Sequence, residues 1–254
     1  MKSYILICTL CLALTMKIGP ANAEDGKSLS PVSSPNLIHL ISAEMKGGIF
    51  ERINGHFVGV YPDYFDEASL LSGVTIDYQM FPWARAVKKV EGSDQFLIFP
   101  FTRTPDRENK FSWVARLNED KTCFSSTGAA LNSLEDAKKR KRILAWRGSS
   151  NQTYLEEQGF KKLIIVHDTE QVVKILKSDP KAAFYYPCDS AQSFLDASQS
   201  KIILKLGAPI VSEEIWLAGS KQFKHTGSSN RFVEAIATLE KDKRLNKLMN
   251  KLLK

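Results

Sequence analysis

The chain has 254 residues, 43% hydrophobic, 25% charged and 10% aromatic. That mix excludes a disordered, collagen-like or multi-span membrane chain. The formal charge is +7, but its one basic run, residues 138–142, lies beside no aromatic cluster and reads as a solvated helix end, so no nucleic-acid partner is expected. The N-terminus is more informative. Lys2 precedes the apolar stretch 4–16, and Ala21-Asn22-Ala23 follows. Positive start, short apolar core and A-x-A end are the parts of a cleavable signal peptide over 1–23, which predicts a periplasmic protein. The apolar core falls short of the ~20 residues a bilayer span needs. Cys8 and Cys11 fall inside this segment. Cys123 and Cys188 remain, and the sequence leaves a disulfide and a free pair equally open.

The following elements are predicted in chain order. Residues 24–36 are Ser/Pro-rich and read as a flexible leader. Leu37–Ile41 reads as a buried strand; Gly47-Gly48 and Asn54-Gly55 are turns. Pro62 opens a helix with Tyr64, Phe65, Ala68 and Leu71 on one face. Val74–Met80 is a strand, 82–91 a helix and Phe96–Phe101 a strand. Thr104-Pro105 signals a further helix start. From Thr122 the rhythm is regular. Strands 122–126, 143–146, 163–166, 182–186 and 202–206 alternate with helices begun at Ser133, Gly148-Ser149-Ser150, Asp168 and Asp189. Alternation of this kind implies βαβ units and a mainly parallel sheet. An apolar stretch, 215–218, and two amphipathic helices close the chain. The spacing thus predicts an α/β protein of two units with a helical tail.

The sequence carries no zinc spacing, no H-E-x-x-H and no G-x-S-x-G, and its four histidines are scattered. No metal, cofactor or catalytic residue is expected, and the chain is not read as an enzyme. In open α/β sheets ligands bind beyond the carboxyl ends of the strands, near helix N-termini. Two strand-to-helix turns carry suitable groups. In residues 99–107 a hydroxyl and a guanidinium stand five residues apart; Arg107 would suit a carboxylate, or else pair with Asp106 or Glu108. In residues 146–150 small residues at a helix start form an anion nest, or merely an ordinary Ser cap.

Residues 82–113 resemble the family 3 extracellular solute-binding proteins. The matching pieces are Gly92-Ser93-Asp94, Thr104-Pro105-Asp106-Arg107-Glu108 and Phe111-Ser112-Trp113, with Gly148-Ser149-Ser150 and Gly159-Phe160 further on. The resemblance implies a two-lobed periplasmic-binding-protein-like fold. Each lobe would be a mainly parallel sheet flanked by helices, with two crossovers: lobe 1 over 37–116 and 209–254, lobe 2 over 118–206. It implies a monomer that captures a small polar solute, an amino acid or other small carboxylate, in an interlobe cleft for an ABC-type importer. A ligand-presenting module for a membrane sensor, or less favourably a dehydratase, would use the same fold. Arg107 would hold the ligand carboxylate, Pro100 and Thr102 would meet its polar head, and Ser149 and Ser150 would close from the second lobe. Asp189 is the nearest acid to the family's amine-binding position, and it reads equally as a helix cap. Phe57, Tyr61 and Trp83 are candidate aromatic walls, or core.

Overall fold

Buried strands need their apolar side chains covered on both faces, and here helices supply the cover. The computed structural model describes residues 36–252; the expected signal peptide and most of the leader lie outside them. The first half contains β1 (Leu37–Ser42), the hairpin β2 (Glu51–Ile53) and β3 (His56–Val58), α1 (Val60–Ser72), β4 (Thr75–Met80), α2 (Trp83–Glu91) and β5 (Phe96–Thr102). The long β6 (Phe111–Ser126) follows. Then come α3 (Leu134–Lys138), β7 (Ile143–Trp146), α4 (Ser150–Glu157), β8 (Leu163–Val166), α5 (Thr169–Ser178), β9 (Ala183–Pro187), α6 (Ala191–Asp196) and β10 (Lys205–Leu206). β11 (Val211–Ser220), α7 (Gly227–Lys241) and α8 (Arg244–Leu252) complete the chain.

Apart from the separate β2–β3 hairpin, the strands form one sheet in the order β4-β1-β5-β11-β6-β9-β7-β8, with β10 beside β6. β4, β1 and β5 are parallel to one another, as are β9, β7 and β8. β6 and β11 join the two parallel blocks and run antiparallel to each other. Around the first block α1 and α7 bury Tyr61, Tyr64, Phe65, Phe232 and Ile236 with Leu40, Phe99 and Leu117. The opposite face packs Ile41, Ile98 and Phe101 against Ala86 and Val90 of α2. The second block is covered likewise, with Leu144, Val166, Val172 and Leu176 on one face and Ile143, Ala145, Leu155 and Phe160 on the other.

Local chemistry sets several boundaries. Ser133, Ser149 and Asp168 each accept a backbone N–H three residues on, which fixes the starts of α3, α4 and α5. Gly73 ends α1 in the left-handed conformation. Four expectations need correction. Thr104-Pro105 opens only one 3₁₀ turn, Pro105–Arg107, because β6 begins at Phe111 and the Thr104 hydroxyl bonds Asp106 instead of capping; no helix dipole acts there. Residues 111–121, for which the sequence predicts no element, are strand, held through the β11 ladder. The strand expected over 202–206 shrinks to Lys205–Leu206. Asp189 is not a cap: Ser190 occupies that position on α6, and no side-chain cap bond is made.

Candidate functional site

The carboxyl ends of both parallel blocks open onto the same space. β1 runs into Ala43, Glu44 and Met45, β5 ends at Pro100 and Thr102, β7 at Trp146, and β9 at Tyr186 and Pro187. With Asn118–Thr122 of β6, Glu213 of β11 and Ser149–Asn151 at the start of α4, these residues line a cavity of about 290 Å³. This is the position where open α/β sheets bind ligands. Two contacts nearby link elements of the first block to elements of the second. Trp83 Nε1 donates to the Gly148 carbonyl at 3.1 Å, and Lys46 Nζ lies 3.3 Å from Glu170 Oε1.

Of the residues singled out in the sequence, Pro100, Thr102, Ser149, Ser150, Asp189, Tyr61 and Trp83 line this cavity. Arg107 and Phe57 are not among its lining residues. Phe57, partly buried, stacks on Phe50 at the edge of the core with centroids 5.3 Å apart. Arg107 is 7% exposed, and its guanidinium lies 4.0 Å over the Phe101 ring. Nη1 donates to the Thr102 carbonyl at 2.8 Å, and Arg107 forms no ion pair among the described residues. Burial pushes its pKa down to about 10, opposed by the charges of Asp106 and Glu213. Arg107 therefore stands one hydrogen bond behind the cavity wall. Arg103 points elsewhere: it pairs with Glu108 at 2.7 Å and lies against Trp113 and Trp216. The Ser149 hydroxyl is engaged by the Trp146 carbonyl and the Gln152 N–H. The Ser150 side chain is 7% exposed and has no hydrogen-bond partner among the described residues.

The sequence reading missed the acids contributed by the two connecting strands. Asn118, Asp120 and Thr122 alternate along β6 and so share one face. Asn118 Nδ2 donates to Asp120 Oδ1 at 2.6 Å, and the Thr122 hydroxyl donates to Glu213 Oε2 at 3.2 Å. Burial pushes the Asp120 carboxyl up to about 6; the Asn118 bond opposes this, and the charges of Asp189 and Glu213 add to it. Glu213 is also raised by burial, with Thr122 and Arg107 acting the other way. The period-2 polar pattern at 118, 120 and 122 was the available signal, but it is visible only once those residues are known to be strand.

No family model and no curated protein matches the chain. Solved structures match its fold. An amino acid ABC transporter substrate-binding protein from Streptococcus pneumoniae, bound to L-arginine, superposes with a TM-score of 0.71 at 15% identity, covering 86% of this chain and 94% of its own. The arginine-, lysine-, histidine-binding protein of Geobacillus stearothermophilus gives 0.71 at 13% identity, covering 85% and 94%. A histidine kinase sensor domain with similarity to periplasmic binding proteins gives 0.72 at 16% identity, covering 85% and 96%. The chain therefore has the periplasmic-binding-protein-like α/β fold, in the form found in amino acid ABC transporter substrate-binding proteins.

Proposed function

We propose that this chain is a non-catalytic periplasmic receptor that captures an amino acid, or a similar small polar solute, for an ABC-type importer. The observation that carries the reading is the cavity itself. It lies at the carboxyl ends of two parallel strand blocks, is walled by Tyr61, Trp83, Trp146 and Tyr186, and carries polar groups from both sides. We further propose lobes at 37–116 with 209–254 and at 118–206, which close on the ligand as one monomer. Pro100 and Thr102 meet the ligand from one side. Ser150 and the start of α4 meet it from the other, with Ser149 as the helix cap behind. Asp189 faces the amine, and Arg107, behind Thr102, draws the carboxylate. The amino-acid-binding neighbours of the same fold support this assignment.

A thermal-shift panel of amino acids, amines and small carboxylates tests the reading. A ligand at 100 times its Kd adds about 2.7 kcal/mol, which moves Tm by roughly 5–10 °C for a chain of this size. A panel without any shift overturns it. The sensor-domain neighbour favours a second reading, ligand presentation to a membrane receptor. Pull-down of a permease against pull-down of a sensor kinase, with ligand present, separates the two.

A further inference from the structure

We infer that the cavity selects an organic cation, a solute with an ammonium or guanidinium group in excess of any carboxylate, and that Asp120 seats that group. This deepens the binding reading above and rests on it. The resemblance assigns the amine to an acid after β9; Asp120 instead belongs to β6, the strand that joins the two parallel blocks.

Three observations converge. The first is charge. Glu44, Glu119, Asp120, Asp189 and Glu213 line the cavity against one basic side chain, Lys121. Glu119 is answered by Arg116. Asp120, Asp189 and Glu213 form no ion pair among the described residues; Asp120 and Glu213 stand opposite each other on β6 and β11, and only Glu213 feels Arg107 from behind the wall. Uncompensated carboxylates in a partly desolvated site favour a cationic occupant.

The second is unused hydrogen-bonding capacity around Asp120. Tyr61 is 2% exposed and lines the same cavity, yet its hydroxyl has no hydrogen-bond partner among the described residues. Asp120, Tyr61 and Tyr186 all line this one cavity. Asn118, 7% exposed, keeps Oδ1 unpaired while its amide holds Asp120. A buried polar group without a partner is costly, and an N–H donor from a ligand would relieve it.

The third is the wall. Tyr61, Trp83, Trp146, Tyr186 and Phe194 give the cavity aromatic faces that attract a cation independently of the acids. No three His, Cys, Asp or Glu side chains among the described residues converge to hold a metal ion. The spread of acids and rings suits an organic cation with several N–H donors.

Calorimetry on the purified chain at neutral pH, with L-arginine, its decarboxylated counterpart agmatine and L-glutamate as probes, tests the inference. Arginine or agmatine should bind and glutamate should not. Asp120→Asn, which keeps shape and the Asn118 contact, should weaken the bound cation by about tenfold or more, with the unliganded Tm undiminished. Arginine bound far above agmatine identifies a basic amino acid as the source of the cation; comparable binding identifies an amine. Glutamate bound above both cations, or an unchanged affinity in Asp120→Asn, overturns the cation inference and leaves the receptor reading standing. A panel in which no solute shifts Tm overturns both.

Discussion

A buried guanidinium needs partners for five N–H donors, and Arg107 has one, the Thr102 carbonyl. In the proposed binding mode its remaining donors would meet a carboxylate reaching past Thr102. Arg107→Ala should therefore weaken arginine binding by roughly 10-fold or more while sparing agmatine, which has no carboxylate. Equal losses for both ligands in calorimetry would show that Arg107 acts only by holding Thr102. The variant should also lose about 1–2 kcal/mol of stability with the Phe101 stack and the carbonyl bond. Asp120 gives a pH dependence of definite sign. Its neighbours are Asp189, Glu213, Tyr61, Tyr186 and Asn118, with Glu119 and Lys121 beside it in sequence. Because its carboxyl is raised to about 6, the native state holds the proton more tightly than the unfolded chain. The associated stability is full below the ordinary aspartate pKa and is lost as pH rises through about 6. Asp120→Asn should thus stabilise the empty protein at neutral pH by on the order of 1–2 kcal/mol, allowing for solvent at a half-buried group, and add nothing in acid. Cation affinity should run the other way, falling as pH drops through about 6. Denaturant melts and titrations across that range check both signs.

At the scale of elements, the segment between β1 and β2 contributes Ala43, Glu44, Met45 and Ile49 to the cavity wall. Gly47 has φ +83°, and a Cβ there would lie 2.6 Å from the Ser193 carbonyl of α6. Gly47→Ala should hinder that approach and weaken ligand binding by about tenfold, with far-UV circular dichroism unchanged; undiminished affinity would mean that this approach is not part of the bound state. β6 and β9 carry the second device. Cys123 and Cys188 are free in this structure and lie near each other across the β6–β9 pairing: Cys123 pairs with Tyr186, and the N–H of Cys188, just past β9, donates to the Lys121 carbonyl at 2.8 Å. Burial raises both pKa values, which slows thiolate attack. Protein recovered from an oxidising compartment should nonetheless show the pair bridged, with no titratable thiol after denaturation without reductant. Two thiols would refute this. These elements differed in how plainly the sequence announced them. Asp168 and Ser133 were readable as caps because each carries a side-chain oxygen three residues before the N–H it accepts. β6 was not, because Asn118-Glu119-Asp120-Lys121 breaks its apolar run. Only pairing with β11 makes those residues strand.

For the whole molecule, periodicity was enough to announce an α/β chain, since the strand–helix alternation from residue 143 to 196 needs no tertiary information. The cavity was half legible. Pro100, Thr102 and Ser150 sit at strand-to-helix turns, where a general rule points, whereas Asp120 and Glu213 come from strands 93 residues apart that only the sheet brings together. Sites assembled from distant strands leave no local signature. Compartment is a further property of the whole chain. No helix among the described residues is long and apolar enough to cross a membrane. The segment 1–23 begins with a lysine, continues with a short apolar core and ends Ala21-Asn22-Ala23, the pattern that signal peptidase cuts after a small residue. Expressed with its own N-terminus in a Gram-negative host, the protein should appear in the osmotic-shock fraction with Glu24 as its first residue by N-terminal sequencing. Replacing both Ala21 and Ala23 by leucine should block the cut and leave a heavier, membrane-associated precursor. An unprocessed chain beginning at Met1 in the soluble cytoplasmic fraction would refute export. It would also remove the premise for a bridged Cys123–Cys188 pair, since the cytoplasm keeps thiols reduced.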